Sequence, residues 1–364
     1  MTDTEERKFD HIQISATKKI QARLATTGFE DTYLIHRALP EINHRQIDIS
    51  TKFFGHKLNA PIIVAAMTGG TSMATKINAS LAEAVQQLNL GMGVGSQRAA
   101  LEDQKLVYTF KVAREKAPNA FLIANIGAPQ LTSGYGVDEA RKAIKMIEAD
   151  ALAVHFNPLQ EVVQNEGQTD FRGALAKVRE ISHALKFPVI VKETGSGIAA
   201  EDAIALEEAG VAGIDVGGAG GTSWAAVEYY RAEKARNELR RRIGQVFWDW
   251  GTPTAVSLIE VKSSTKLTVI ATGGIRTGVD MAKAIALGAD TIGIAFPLLK
   301  PAMQGPESVA KELKHLMTEL KTAMFLTGAK SIQDLRKVPV VITGKTSDWL
   351  KARGFNPDQY ARRK

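Results

Sequence analysis

The sequence predicts an α/β protein built as a (β/α)8 TIM barrel, with an N-terminal extension and a long insertion after the sixth strand. Eight short apolar runs recur along its 364 residues at intervals of roughly thirty residues, and stretches with helical periodicity separate most of them. Strands that alternate with helices form parallel sheets. Eight such units favour a closed barrel, and no GxGxxG segment follows the first run to support an open dinucleotide-binding sheet.

The runs define the elements in order. The predicted strands are residues 61–66, 90–95, 120–125, 151–156, 188–193, 213–218, 268–274 and 291–296. The predicted helices include residues 78–88, 137–148, 173–185, 200–209 and 279–287. The long gap at 219–267 predicts an insertion that is either a lid over the active face or a surface elaboration. Residues 1–60 form the predicted extension, and residues 61–364 form the barrel with closing C-terminal helices.

Composition excludes several classes of chemistry. The chain has no cysteine, which excludes disulfides, thiolate nucleophiles, iron–sulfur clusters and thiolate zinc sites and fits a reducing cytoplasm. The first ten residues lack the apolar core of a signal peptide, and no apolar stretch is long enough to span a bilayer, so we expect no membrane association.

The chain has a net charge of +7, which raises the question of whether its partners are nucleic acids or small anions. Its densest basic run, residues 231–242, is typical of a solvated helix or a mobile loop. No recognition module or interleaved aromatic pattern accompanies the run, so we expect no nucleic-acid partner. The basic excess also suits small anionic ligands.

The segment 155–161, HFNPLQE, places an imidazole, two carboxamides and a carboxylate where a buried strand ends. Asn157 followed by Pro158 is a good helix start, with an N-cap side chain and a first-turn proline. A helix beginning there would direct Gln160 and Glu161 back over the strand end. Core packing does not require so many polar groups at one strand terminus, so the segment is predicted to form a catalytic wall, that is, one side of an active site.

The rim of the predicted barrel indicates a phosphate and a polar ring system. Glycines follow strands seven and eight, in 272–278 and 293–297, where backbone amides and a helix N-terminus can bind phosphate; the alternative is a pair of tight turns. Lys192 ends a buried strand, where an unpaired ammonium is costly, and could hold an anionic cofactor. Flavin mononucleotide (FMN) would account for these features together, with Thr68, Ser96, Asn125 and Thr222 as further donors and acceptors.

Basic residues and one carboxylate indicate a substrate that carries a diphosphate. Arg7, Lys8 and His11 lie near the N-terminus, and Gln97 and Arg98 follow strand two. In isolation the N-terminal charges would be typical of an exposed tail. Glu161 is the only carboxylate of the 155–161 segment, and Mg²⁺ is commonly held by one carboxylate together with substrate phosphates.

Taken together, these segments resemble the type 2 isopentenyl diphosphate isomerases over essentially the whole chain. The matching motifs are RKFDH (7–11), AAMTGG (65–70), GVGSQR (93–98), ANIG (124–127), HFNPLQE (155–161), VKETGSG (191–197), GAGGTSW (218–224), TGGIR (272–276) and GIAFP (293–297). The resemblance implies interconversion of isopentenyl and dimethylallyl diphosphate in isoprenoid biosynthesis, with FMN, Mg²⁺ and a reductant such as NADPH. It also implies that reduced FMN is the acid and base, and that the protein is a homotetramer or homo-octamer.

The resemblance further implies roles for individual residues. Substrate would be held by Arg7, Lys8, His11, Ser96, Gln97, Arg98, Asn157 and Gln160. FMN would be held by Ala66, Met67, Thr68, Ser96, Asn125, Lys192, Thr222, Gly274, Ile275, Arg276, Ala295 and Phe296. Glu161 would ligate Mg²⁺. Gln160 and His155 would be the catalytic pair, with Gln160 positioning a proton and His155 aligning the diphosphate or Gln160 rather than acting as a general base.

The chain departs from the family pattern at two positions. Gly217 stands where many members have serine, which removes a hydroxyl contact to FMN that backbone amides could replace. Asp10 replaces the more usual glutamate, a change that should matter little.

Three other functions fit the sequence less well. A hydroxyacid oxidase needs a histidine base after strand six, and that region has none. Inosine-monophosphate dehydrogenase needs a cysteine nucleophile, which is also missing. A barrel recruited as a non-enzymatic interaction module would leave the polar groups of 96–98 and 155–161 without a purpose.

Overall fold

A computed structural model describes residues 3–363 and confirms the predicted barrel. The strands are β1 Thr32–Leu34, β2 Thr51–Phe53, β3 His56–Leu58, β4 Ile62–Val64, β5 Gly91–Gly93, β6 Phe121–Gly127, β7 Ala151–His155, β8 Val189–Lys192, β9 Gly213–Asp215, β10 Thr268–Ala271, β11 Thr291–Ile294 and β12 Val340–Ile342. Strands β4 to β11 pair in parallel, and β11 pairs with β4 to close the barrel. These are the eight strands that the sequence predicted.

Helices surround the barrel and extend beyond it. They are α1 Asp3–Thr17, α2 Ser72–Leu88, α3 Arg98–Glu102, α4 Tyr108–Lys116, α5 Ala128–Thr132, α6 Val137–Met146, α7 Pro158–Val163, α8 Ala174–Ala184, α9 Ala200–Glu208, α10 Trp224–Lys234, α11 Glu238–Val246, α12 Thr254–Ser264, α13 Gly278–Ala286, α14 Phe296–Gln304, α15 Pro306–Thr327, α16 Ile332–Leu335, α17 Gly344–Ala352 and α18 Asp358–Ala361. Two short 3-10 turns lie at His44–Gln46 and Gln104–Leu106. Each of the five predicted helices is present, with ends that differ by up to six residues.

The barrel strands have apolar side chains on both faces because helices cover the outside and side chains fill the inside. The interior cluster includes Ile63, Phe121, Ile123, Ile190 and Ile270, all buried. A much larger apolar layer lies between the strands and the surrounding helices. The strands therefore form a rigid base for the groups at their carboxyl ends.

The N-terminal extension contributes to both ends of the barrel. The β2–β3 hairpin inserts Phe53 against Phe121, the first residue of β6, with ring centroids 5.1 Å apart, and so closes the amino-terminal end. Strand β1 pairs with β12 near the C-terminus. Helix α1 packs against α10 of the insertion at the opposite, carboxyl end. Residues 1, 2 and 364 of the predicted ranges lie outside the described residues.

The insertion after the sixth strand consists of α10 and α11. The Ser223 hydroxyl caps α10 by accepting from the Ala226 amide at 3.1 Å, and Asn237 caps α11 in the same way. The basic run 231–242 thus spans two helices, and most of its residues are exposed, as expected of a solvated segment. Its first residue, Arg231, is turned inward and forms ion pairs with Glu228 and Glu166, both at 2.8 Å. Helix α10 also packs on α7, so the insertion forms one wall of the active face.

Candidate active site

A deep cavity opens at the carboxyl ends of the barrel strands, beneath α1 and α10. It encloses about 1630 Å³ of empty space, including solvent at its mouth. The predicted site residues that line it are Arg7, Lys8, His11, Ala66, Met67, Thr68, Ser96, Arg98, Asn125, His155, Asn157, Gln160, Glu161, Lys192, Thr222, Gly274, Ile275, Arg276, Ala295 and Phe296. The structure thus brings together in one cavity all of the predicted site residues except Gln97.

The prediction that Gln97 contacts substrate is wrong on geometry. Its side chain is fully buried, and its Nε2 donates to the Ala143 carbonyl at 2.9 Å. Its Oε1 accepts from the Asn125 backbone amide at 2.8 Å. Because Gln97 immediately precedes α3, its side chain turns toward α6 and β6 while its neighbours Ser96 and Arg98 face the cavity. Gln97 therefore supports the cavity wall from behind.

His155 is a neutral imidazole on the cavity wall. Burial, followed by the nearby charges of Lys192 and Lys8, lowers the pKa of His155 to about 3. Its Nδ1 lies 2.8 Å from Asn125 Oδ1, and the Asn125 amide nitrogen donates to the Val94 carbonyl at 3.0 Å. The Asn125 oxygen therefore accepts from Nδ1–H and fixes the ring. An imidazole with so low a pKa aligns neighbouring groups and does not store a proton at neutral pH.

At the start of helix α7, the polar side chains of the 155–161 segment form hydrogen bonds with one another. Pro158 is its first residue, as predicted, but the Asn157 side chain does not cap it. Instead Asn157 Nδ2 donates to Gln160 Oε1 at 3.1 Å and to Glu161 Oε1 at 2.9 Å. The N-cap expectation for the Asn157 side chain was wrong, because the two bonds donated by Nδ2 fix the carboxamide with its Oδ1 away from the backbone amides of α7. Within the described residues, the buried Asn157 Oδ1 has no partner and is available to a ligand.

Glu161 is suited to bind one cation and not to form a metal site alone. Its Oε2 accepts from the Gln168 backbone amide at 2.7 Å, which leaves each oxygen one further coordination direction. Among the side chains that the structure describes, residues 6–363, no group of three or more His, Cys, Asp or Glu could hold a metal ion. A metal at Glu161 would therefore need oxygen ligands from a substrate or water.

Glu228 is a site residue that the sequence argument missed. Its buried carboxylate accepts from Gln160 Nε2 at 3.2 Å, His11 Nε2 at 2.8 Å and Arg231 Nη1 at 2.8 Å. Burial opposes ionisation, yet His11 and Arg231 together lower its pKa to about 2. The one available signal was an acidic residue within the otherwise apolar stretch 224–230. Glu228 links α1, α7 and α10 at the cavity wall.

Three cations converge on the same cavity from α1 and α3. They are Arg7, Lys8 and Arg98. Burial, then the charges of Arg7 and Arg98, lowers the pKa of Lys8 to about 7. Burial also lowers the pKa of Arg7, with Arg98 adding to the effect. Arg98 already pairs with Glu102 at 2.7 Å, but Arg7 and Lys8 place two further positive charges beside it, so this part of the cavity favours a multiply charged anion.

The segments after β10 and β11 have the geometry of a phosphate site. Gly273 and Gly274 have φ of +108° and +70°, a region that favours glycine. A Cβ on Gly221 would lie 2.3 Å from the Gly274 nitrogen, so the two loops pack backbone to backbone. Helix α14 begins at Phe296 and directs its first turn toward the cavity. A helix N-terminus beside glycine loops is favourable for a phosphate group.

The residues at the centre of the cavity fit a flavin ring. Thr68 Oγ1 is buried and, within the described residues, has no hydrogen-bond partner. Lys192 donates to the Glu193 carbonyl at 2.7 Å and also lines the cavity. Asp215, which the sequence argument missed, lies beside Lys192 on the neighbouring strand, and burial raises its pKa. An unpaired hydroxyl, a cation and a glycine-rich phosphate loop together fit FMN.

Gly217 is required by the backbone of this chain. Its φ is +47°, and a Cβ there would lie 2.2 Å from the Glu193 carbonyl oxygen. Its amide donates to Thr272 Oγ1 at 2.9 Å, so this amide does not replace the hydroxyl contact to FMN that the sequence argument considered. A serine at 217 would need a different path for the 193–194 backbone.

Known proteins resemble the chain in both sequence and structure. The profile of the FMN-dependent dehydrogenase family matches residues 2–341. The isopentenyl-diphosphate delta-isomerase of Methanosarcina barkeri is 50% identical over 361 residues, covering 99% of this chain and 98% of that protein. The enzyme of the same name from Pyrococcus furiosus is 50% identical over 360 residues, covering 97% of this chain and 90% of that protein.

Solved structures share the fold at much lower identity. A flavocytochrome b2 variant superposes with a TM-score of 0.67 at 20% identity, covering 94% of this chain and 84% of that one. A lactate oxidase from Pediococcus acidilactici gives a TM-score of 0.66 at 19% identity, covering 93% of each chain. At this identity the likeness concerns the barrel architecture alone.

Proposed function

We propose that this chain, which belongs to the FMN-dependent dehydrogenase family and within it to the isopentenyl-diphosphate delta-isomerases, interconverts isopentenyl diphosphate and dimethylallyl diphosphate by a 1,3-proton shift. The observation that carries the proposal is the cavity itself. It combines three converging cations with a glycine-rich phosphate loop and an unpaired Thr68 hydroxyl. One anion site suits the cofactor phosphate, and the other suits a diphosphate substrate.

The proposed cofactor is FMN, with one set of residues at its phosphate and another at its ring system. Bound in its reduced form, FMN would supply the acid and base that the proton shift requires. In the proposal, Gly274, Ile275, Arg276, Ala295 and Phe296 hold the phosphate end. The ring end is held by Ala66, Met67, Thr68, Ser96, Asn125, Lys192 and Thr222. A positive Lys192 at that level stabilises negative charge on a ring system in a site with little water.

The diphosphate is bound by the cations of α1 and α3. Arg7, Lys8 and Arg98 neutralise its charge, and Ser96, His11 and Asn157 supply further hydrogen-bonding groups at the cavity wall. We propose that Glu161 ligates Mg²⁺ together with the diphosphate oxygens. Neutral His155 aligns the diphosphate and Gln160, and Gln97 acts only through the wall behind Asn125.

The reacting alkene needs a dry, oriented site. An unactivated alkene is a poor base, so its protonation gives a tertiary cation that water would capture. Helix α1 covers the cavity with Ile12, and Trp224 and Leu299 line it from other sides. Gln160 cannot titrate, and its amide is held by Asn157 and Glu228. In the proposal Gln160 orients the substrate and the transferred proton.

The proposal extends to the enzyme's setting. It includes NADPH as the source of electrons that reduce the flavin, a role in isoprenoid biosynthesis, a homotetrameric or homo-octameric assembly and a cytoplasmic location. Among the helices of residues 3–363, none has both the length and the apolar character needed to cross a bilayer.

An anaerobic assay tests the proposal. The purified chain is incubated with isopentenyl diphosphate, and formation of dimethylallyl diphosphate is followed with FMN, Mg²⁺ and NADPH each present or omitted. We expect activity only with reduced flavin and Mg²⁺. Full activity in flavin-free protein would contradict the proposal, and so would oxidation of a 2-hydroxy acid in place of isomerisation.

A further inference from the structure

We propose that Gln21 is a positioning residue that holds Arg276 ready for the phosphate of FMN. The inference rests on the proposed cofactor site and goes beyond it, because it assigns a role to the segment between α1 and β1. Gln21 Oε1 accepts from Arg276 Nη2 at 2.6 Å. Its Nε2 donates to Thr222 Oγ1 at 3.3 Å. One side chain therefore contacts two of the residues proposed to bind FMN.

The backbone around Gln21 is anchored independently of its side chain. Ala22 donates to the Gly221 carbonyl at 2.8 Å, and Ser223 donates to the Ile20 carbonyl at 2.8 Å. The Trp248 indole donates to the Gln21 carbonyl at 3.0 Å. The segment thus runs antiparallel to the loop after β9, with Gln21 bridged to Thr222. Changing the Gln21 side chain removes none of these bonds.

Because the Gln21 side chain is a neutral acceptor, it leaves the positive charge of Arg276 available to an anion. The guanidinium lies over the Phe296 ring, 5.4 Å from its centroid, and Nη1 donates to the Ile275 carbonyl at 3.0 Å. Within residues 3–363, Arg276 forms no ion pair. Its contacts from Gln21 and Ile275 are both neutral oxygens. They fix the direction of the guanidinium without neutralising it, so its charge remains for an anion.

The same contacts connect the cofactor site to the substrate end of the cavity. Helix α1 carries Arg7, Lys8 and His11, and the chain continues directly from it to Gln21. An ordered segment at Gln21 therefore fixes the end of the element that covers the substrate.

The test compares FMN with riboflavin, which lacks the phosphate. Full-length protein is freed of flavin, and the affinity for each is measured by flavin fluorescence for the unaltered chain, Gln21→Ala and Gln21→Glu. A hydrogen bond to a charged group predicts about a tenfold loss of FMN affinity for Gln21→Ala. The loss of riboflavin affinity should be smaller, because only the contact of Gln21 with Thr222 concerns the ring end. Gln21→Glu keeps an acceptor of the same size but pairs with Arg276 and repels phosphate, so it should remove the preference for FMN over riboflavin.

Gln13→Ala is the matched control, since it removes an exposed amide from the same N-terminal segment. It should leave both affinities unchanged. Equal losses for FMN and riboflavin in both Gln21 variants would overturn the inference, as would unchanged FMN affinity. Failure of the unaltered chain to bind either flavin would instead overturn the proposed cofactor site. The two failures are therefore distinguishable.

Discussion

Many polar side chains of this site form hydrogen bonds with one another in the absence of a ligand. Asn157 binds both Gln160 and Glu161, and Glu228 binds both Gln160 and His11. Such mutual bonds fix the orientation of carboxamides that could otherwise rotate freely. What remains unpaired is informative: the Asn157 oxygen and the Thr68 hydroxyl are buried acceptors or donors without partners among the described residues. These atoms mark where ligand atoms should bind.

Glu161→Gln tests the metal role. The substitution keeps the side-chain shape but removes the charge, so we expect isomerase activity to need much more Mg²⁺ while FMN remains bound. The measurement is activity against Mg²⁺ concentration, with the flavin absorbance as a second readout. Asp170→Asn, which alters an exposed carboxylate on a nearby loop, is the control. Loss of flavin together with activity would contradict the assignment of Glu161.

Lys8 predicts a pH dependence of anion binding. Its pKa in the folded free protein is about 7, against 10.5 for an ordinary lysine. The ammonium is therefore charged below about pH 7, and diphosphate affinity should fall as the pH rises through that value. The linked effect on folding has the opposite sign: between the two pKa values the unfolded chain binds more protons, so stability from Lys8 rises with pH.

Calorimetric titration of inorganic diphosphate with Mg²⁺, from about pH 6 to about pH 9, measures this dependence. Lys8→Met should flatten the profile and lower the affinity at the acidic end. Lys19→Met changes an exposed lysine that follows α1 and should keep the profile of the unaltered chain. If the diphosphate affinity of the unaltered chain does not change with pH, the prediction from the lowered pKa of Lys8 is wrong.

At the scale of elements, α1 is held over the barrel by a charged network together with the buried side chains of Ile12 and Ile14. Lys234 of α10 pairs with Asp10 at 2.8 Å, and His11 contacts Glu228 at 2.8 Å. The His11 ring also packs edge-on against Trp224, with centroids 5.1 Å apart. Because the proposed substrate cations Arg7 and Lys8 lie on this helix, its docking would also complete the proposed diphosphate site.

Glu228→Ala should release α1. It leaves Gln160, His11 and Arg231 without their shared acceptor, and removing one partner of a buried pair typically costs about 3–5 kcal/mol. Hydrogen exchange of residues 3–17 should become faster, and isomerase activity should fall. Glu233→Ala on the exposed side of α10 is the control. Unchanged exchange in α1 would mean that Glu228 does not hold the helix.

At the scale of the whole molecule, the barrel supplies the rigid frame and its two accessory segments complete the cavity. The hairpin β2–β3 closes the amino-terminal end, while α1 and the α10–α11 insertion cover the carboxyl end. Residues from loops after most of the eight strands line the cavity. A ligand that bridges these loops should therefore stabilise the entire barrel.

FMN should raise the unfolding temperature of the chain. A ligand at 100 times its Kd that binds only the folded state adds about 2.7 kcal/mol to the free energy of unfolding. Thermal unfolding of flavin-free protein with added FMN measures the shift, and riboflavin should give a smaller one because it lacks the phosphate. An unfolding temperature that does not respond to FMN would contradict the proposed site.

The sequence alone determined the barrel, the positions of its eight strands and most of the site residues that line the cavity. Short continuous apolar runs define the strands buried on both faces, and the carboxyl ends of parallel strands must converge, so residues such as Lys192 and Glu161 could be placed at one face of the barrel from the sequence. The orientation of Gln97 could not be assigned from the sequence, because adjacent residues on a turn can point in opposite directions. Only the hydrogen bond of its side chain to the Ala143 carbonyl shows that it points away from the cavity.

Only the tertiary structure decided how distant segments meet. Glu228 lies 217 residues from His11, and Gln21 lies 255 residues from Arg276, separations at which no local periodicity carries information. The side chain of Asn157 likewise donates to Gln160 and Glu161, and its oxygen does not cap the helix as the sequence context predicts. Backbone periodicity is set by local sterics and burial, whereas the pairing of polar side chains depends on which surfaces the closed barrel brings into contact.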